Sequence, residues 1–277
     1  LVIKEEAMKR KIVTLVLAVM IALSFVACGN TPENNSSEEN EKMTEQEIEQ
    51  LYADPKKFEG RSIEIYGQLL ISPEKDDSGI YFQMWADPEN ATLNTVVYFD
   101  DPDFEVEAEN YVKVSGVVGK EFEGENAFGG TVTAPTIIAD SVEVVSYTEA
   151  VSPALHTYEF DNLVQDQYGY SVKIDKVELA ENETRIYLTV NNNGSDKFSL
   201  YSFNSSIIQN GEQFNEQDNW AANYPEIQTD LNVGASTSGV IAFPAIENAN
   251  FQLILDGYSS NYNENIEPYT FDIPVNQ

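Results

Sequence analysis

The chain is nearly without cysteine and histidine: Cys28 and His156 stand alone among 277 residues. A single thiol excludes any disulfide within the chain, and one Cys with one His cannot assemble a structural zinc cluster. Positive charge is scarce as well, with 15 Lys and Arg against 47 Asp and Glu and a net charge of −32. Nucleic-acid affinity comes mainly from cations that neutralise phosphates, so a polyanionic partner is disfavoured. The same acidity keeps an exported body soluble and unattached. His156 sits in a Leu-His-Thr-Tyr stretch with no acid at recognisable spacing, so no catalytic triad can be drawn through it. It reads as a surface or linker histidine. Gly124 to Gly130 is glycine-rich but lacks the Gly-Lys-Ser/Thr ending that grips phosphate.

What is present begins with an export signal. Met8-Lys9-Arg10-Lys11 is a basic patch, and Ile12 to Ala27 runs without a charge, too short for the ~20 apolar residues of a membrane span. Met8 is the expected start, because Lys4-Glu5-Glu6 is what a purine-rich ribosome-binding site gives when translated in frame. The apolar run ends in Ser24-Phe25-Val26-Ala27-Cys28-Gly29. Ala27-Cys28 resembles the bacterial lipobox, although Phe25 and Val26 depart from its favoured pattern. That resemblance implies cleavage before Cys28 and lipid on its sulfur, with residues 1–27 as signal peptide. The expected location is the extracytoplasmic face of the bacterial cell membrane, reached through the acylated Cys28.

Residues 28–43 are almost free of aliphatic side chains and predict a flexible tether. Thr44 with Glu47 forms a capping-box pattern, and Ile48, Leu51 and Tyr52 follow at helical spacing until Asp54-Pro55 stops the helix. Over 44–147 five strands follow: Arg61–Ile71, Ile80–Trp85, Thr95–Phe99, Tyr111–Val118 and Thr136–Val145. Ile63, Ile65, Gly67 and Leu69 share one face, as do Val112, Val114, Gly116 and Val118, which is period-2 patterning. Five strands, the first long enough to serve two neighbours, predict a small barrel. Phe58 to Gly67, Val112 to Val118 and Pro135 to Glu143 resemble strands of an OB-fold of the tRNA-anticodon-binding-like kind found in exported bacterial proteins.

An OB barrel that binds nucleic acid combines stacking aromatics with a cationic groove. Tyr81 and Trp85 alternate with Ile80, Phe82 and Met84 and so face outward, and Tyr98 joins them as a candidate ligand surface. The cations are missing, since residues 44–147 hold 6 Lys and Arg against 22 Asp and Glu. Such a platform suits a glycan, a peptide or a protein loop. The other reading is that these rings pack against the helix or the second domain.

Residues 154–277 read as an all-β sandwich. Val172 and Ile174 alternate and Val177 and Leu179 resume out of phase, which predicts a bulge near Asp175-Lys176. Asn210-Gly211 is a two-residue hairpin signal between Ile207-Ile208 and Phe214. Thr184 to Asn192, Asn210-Gly211-Glu212 and Leu231 to Pro244 resemble the telokin-like, immunoglobulin-type domain of many Gram-positive lipoproteins, with Val233-Gly234 where that family has Pro-Gly. The resemblance implies an immunoglobulin-like fold and brings no catalytic residues.

The densest acidic run, Asp100 to Glu109, lacks calcium-loop spacing; Glu105, Glu107 and Glu109 alternate with apolar residues and predict a solvated strand edge. No metal site, cofactor or catalytic residue is expected. The leading expectation is an all-β, lipid-anchored binding or interaction protein without catalytic activity. An extracellular hydrolase of wall glycan or peptide and a passive surface spacer are the alternatives. Two close, buried carboxylates would favour the hydrolase.

Overall fold

Thr44 opens the first helix by bonding in both directions. Its hydroxyl accepts from the Glu47 amide, and the Glu47 carboxylate accepts from the Thr44 amide at 2.9 Å. The helix, α1 (Glu45–Leu51), buries Leu51 completely and gives way to a 3-10 turn at Pro55–Phe58. The computed structural model describes residues 41–125 and 130–275. The export segment, Cys28 and nearly all of the tether lie outside the described residues. Of the described residues 54% are strand and 7% helix, and the chain divides into two units, residues 1–144 and 145–277.

In the first unit the strands are β1 (Ser62–Leu69), β2 (Glu74–Asp76), β3 (Gly79–Asp87), β4 (Thr92–Phe99), β5 (Tyr111–Val118), β6 (Phe122–Glu125), β7 (Thr131–Ala134) and β8 (Thr136–Val145). The sheet runs β1-β5-β8-β4-β3, with β2 outside β3, and a further β1–β3 pairing closes it into a five-stranded barrel of OB type. β4 and β8 run parallel; β1 pairs antiparallel with β5 from Ser62 to Gln68 and with β3 at Gln68 and Leu69. Side chains alternate, so Ile63, Ile65 and Leu69 of β1 and Val112, Val114 and Val118 of β5 fill the barrel with Met84, Val97 and Ile137. Leu51 and Phe58 belong to the same core, and the Tyr52 hydroxyl lies 2.7 Å from that of Thr95.

Closure brings backbones very near each other. A methyl group at Gly116 would stand 2.2 Å from the Ile138 carbonyl oxygen and 2.7 Å from the Ala139 Cα. Gly116→Ala must therefore push β5 from β8, and a loss of about 1–3 kcal/mol is expected, the range for an overfilled core. A urea melt checks it: an unchanged midpoint would show that the two strands part without strain.

Two segments differ from the sequence reading. Of the glycine-rich stretch Gly124–Gly130, which reads as the flexible loop between the last two barrel strands, Gly124 and Glu125 belong to a strand, Phe122–Glu125 pairing antiparallel with Thr131–Ala134. Phe122, Thr131, Val132 and Thr133 are strong strand formers. Residues 126–129 lie outside the described residues. The run Phe104 to Glu109 is no strand: Val106 is buried and Glu105, Glu107 and Glu109 are exposed, as the alternation requires. The end of β1 is instead bonded to the residues that follow, Glu109 N–H to the Leu69 carbonyl and Leu69 N–H to that of Asn110, each at 3.0 Å.

The second unit opens with a helical turn, α2 (Tyr147–Ala150), where strand patterning pauses. Its strands are β9 (Ala154–Glu159), β10 (Val164–Gln167), β11 (Tyr170–Ala180), β12 (Glu183–Asn192), β13 (Phe198–Gln209), β14 (Glu212–Asn215), β15 (Asp230–Leu231), β16 (Ser236–Pro244), β17 (Phe251–Ser259) and β18 (Tyr269–Ile273). One sheet runs β10-β11-β12-β16 with β9 also on β11; the other runs β14-β13-β17-β18 with β15 on β13. They face each other as an immunoglobulin-like sandwich. Val172, Ile174, Ile186, Leu188 and Val190 of one sheet share a core with Phe198, Leu200, Leu253 and Leu255 of the other. The Tyr170 and Phe198 rings stack at 4.8 Å and 8°. The register of β11 slips between Ile174 and Lys176, the bulge that the phase change predicts. Asn210 and Gly211 take φ of 53° and 84°, the left-handed pair that joins β13 to β14 in a tight turn.

Candidate functional site

Strand alternation puts Tyr81 and Trp85 of β3 and Tyr98 of β4 on the outer face of the barrel, opposite to the buried Ile80, Phe82, Met84 and Val97. Tyr81 and Tyr98 are cross-strand partners, with ring centroids 4.8 Å apart and tilted by 34°. The Tyr98 hydroxyl donates to the Ser78 carbonyl at 2.8 Å, which holds its ring in place. Burial pushes the Tyr81 phenol up, and the nearby Asp76 charge adds to the shift. Trp85 lies four residues further along β3, about 13 Å away at strand spacing, with Asn94 and Gln68 as its neighbours in register. All three rings are half-buried. Two of them thus form a contact pair, and the third extends the same face.

Lys75 of β2, the strand beside Tyr81, donates to the Phe104 carbonyl at 2.6 Å, and two further cations of this unit are engaged by a carboxylate. Lys42 and Lys113 approach the Glu64 carboxylate at 2.6 and 3.5 Å, and Lys113 also lies 5.7 Å from the Tyr66 ring centre. The hydrogen bond from Lys42 outweighs burial and holds the Glu64 carboxyl below its usual range.

His156 lies on β9, opposite Leu179, exposed and 6.5 Å from the Tyr158 ring. Among the described residues no three His, Cys, Asp or Glu side chains converge as metal ligands.

A buried charge cluster in the second unit escaped the sequence reading. Arg185 of β12 is fully buried. Its Nε donates to Glu178 at 2.8 Å, and its Nη1 to Glu183 at 2.6 Å and to the Ser152 carbonyl at 2.8 Å. Tyr187 and Lys176 also donate to Glu178, and Tyr224 and Asn219 to Glu183. Burial pushes both carboxyls up, but these donors outweigh it, and both end below the usual carboxylate range. Burial and the bond to Glu178 push the Tyr187 phenol up to about 12, so it remains a donor. Acid–base cleavage needs one carboxyl raised and one free to attack. Here a single guanidinium grips both as anions, which makes the cluster a staple.

Sequence reasoning misses it because Arg185, Tyr187 and Thr189 alternate with the core residues Ile186, Leu188 and Val190, the pattern of a solvent face. Ser152 and the segment Asn219–Tyr224 cover that face at Arg185. A charged residue in a strand with acids two positions before it and seven positions before it was the available signal. The most exposed large rings also lie in this unit: Tyr262, Trp220 and Phe203 are 91%, 84% and 62% exposed. No family model matches the chain, and no curated protein matches it.

Proposed function

We propose that the chain is a binding or interaction protein without catalytic activity, held by lipid on Cys28 at the extracytoplasmic face of a bacterial membrane. The observation that carries the binding half is the outward Tyr81–Tyr98 pair, continued by Trp85, on a barrel whose own core is filled without them. Aromatic faces with polar neighbours such as Gln68 and Asn94 suit a glycan, a peptide or a protein loop. The anchor half rests on the Ala27-Cys28 junction after the apolar run. Assignment of the two units to the tRNA-anticodon-binding-like and telokin-like families of Gram-positive lipoproteins belongs to the same proposal. The clamped state of Glu178 and Glu183, the two buried acids among the described residues, supports the non-catalytic reading over the hydrolase. The excess of acids over cations around the aromatic face speaks against nucleic acid.

The chain has two tryptophans, so Trp220→Phe leaves Trp85 as the sole reporter. Titrating that variant with soluble wall fragments, both glycan chains and stem peptides, is expected to shift its emission to the blue. Tyr81→Ala should abolish the response. Emission unmoved by every fragment, with Tyr81→Ala indistinguishable from its parent, would leave the barrel as a passive spacer.

A further inference from the structure

A second aromatic face lies on the sandwich, and its origin is local. Phe198 and Leu200 of β13 point into the core, which turns Ser199 and Tyr201 outward. On the adjacent β17, Leu253 and Leu255 point inward and Asp256 and Tyr258 outward. Tyr201 pairs with Asp256 and Ser199 with Tyr258, so Tyr201 and Tyr258 are diagonal neighbours on one face. The β13–β17 register breaks between Tyr201 and Ser206, and the extra residues throw Phe203 out beside Tyr201, ring centres 5.5 Å apart. After β17 the Asn261 amide bonds back to Ser259, which returns Tyr262 to Tyr258 at 6.3 Å, edge to face. Burial and the neighbouring phenols of Tyr262 and Tyr201 push the Tyr258 phenol up. Four rings and one carboxylate therefore share a surface.

Charge decides what such a surface can hold. Residues 145–277 contain 4 Lys and Arg against 19 Asp and Glu. Each of the four cations is spent on a carboxylate: Lys173 on Asp175, Lys176 on Glu178, Arg185 on Glu178 and Glu183, Lys197 on Asp230. Asp256 makes no side-chain hydrogen bond or ion pair among the described residues. Electron-rich ring faces attract cations, arginine above all, and an adjacent unpaired carboxylate supplies the counter-charge. An anionic ligand finds no unpaired cation of this unit to meet it, and a neutral one leaves Asp256 unanswered.

We infer that Tyr201, Phe203, Tyr258 and Tyr262, with Asp256, form a docking face for an arginine- and lysine-bearing peptide segment of a partner protein. The face is independent of the barrel surface.

The test uses the full chain in detergent and a short fluorescent arginine–glycine peptide, followed by anisotropy at about 0.15 M salt, where exposed charges are screened beyond about 8 Å. Ring removal in Tyr258→Ala/Tyr262→Ala is expected to weaken binding about tenfold. Tyr258→Phe/Tyr262→Phe keeps the rings and should bind as the parent does. Asp256→Asn should cost several-fold, while Glu181→Gln, the same charge change on an exposed turn, should cost nothing. A citrulline-for-arginine peptide should lose affinity as much as ring removal does. The inference is overturned if the alanine pair binds like the parent, if citrulline serves as well as arginine, or if Glu181→Gln matches Asp256→Asn. Tyr81→Ala should leave this binding intact, which separates it from the barrel.

Discussion

Arg185→Met is expected to cost the second unit about 3–5 kcal/mol, the range for a buried ion pair broken from one side. Methionine fills similar space, so packing is largely kept while the charge is lost. Glu178 and Glu183 then sit buried without the cation that bridges them at 2.8 and 2.6 Å, and Lys176, Tyr187, Tyr224 and Asn219 provide only partial compensation. Hydrogen exchange of β12 amides under increasing urea reads this unit separately from the barrel. The combination Arg185→Met/Glu178→Gln/Glu183→Gln should recover much of the loss, because removing every charge of a buried network is far milder than removing one. A cost below about 1 kcal/mol for the single change would mean that the acids rely on solvent after all.

The same cluster fixes a pH response. Both carboxyls are lowered in the fold from an ordinary 4.5, so the unfolded chain takes up their protons first as pH falls. Their contribution is complete above about pH 4.5 and disappears as pH drops through the lower folded values. In Arg185→Met burial acts with less opposition, so the two folded carboxyls are lowered less. The slope is then expected to become shallower, because Lys176 and Tyr187 still bond Glu178 and Tyr224 and Asn219 still bond Glu183.

The second large effect is at Cys28. The intact protein is expected to partition into detergent, and its mature amino end to carry diacylglycerol on that sulfur. A chain of mature length with Cys28→Ala should pass almost wholly into the aqueous phase. The magnitude follows from the arithmetic of anchoring. Each buried methylene contributes about 0.8 kcal/mol, and two chains hold where one barely does. A polybasic patch is the usual alternative attachment, and from Cys28 onward no more than two Lys or Arg stand side by side. An unmodified mature amino end, found by mass spectrometry, refutes the anchor.

Much of this architecture is legible in residue order because it is local. Thr44 and Glu47 announce the capped helix, the alternation of β1 and β5 marks their inner faces, and the phase slip after Ile174 locates a bulge. Tyr81 and Trp85 can be placed outward by counting, and Tyr98 proves to be the direct partner of Tyr81. What stays hidden depends on segments far apart in sequence. Alternation puts Arg185 on an outer face, and nothing local tells that Ser152 and Tyr224 will fold over it. Phe203 is likewise exposed by a register break that becomes visible only once β13 is set against β17.

The closed barrel has a consequence for life at high density. An open sheet presents a row of unsatisfied amides that can template strand addition from a neighbour. Here the end of β1 is bonded on both sides, and the strand that extends the ring's sheet beyond β3, β2, is a three-residue segment of Glu74, Lys75 and Asp76, every one charged. The ring itself accordingly offers crowded copies no flat apolar rim along which to zip together into fibres.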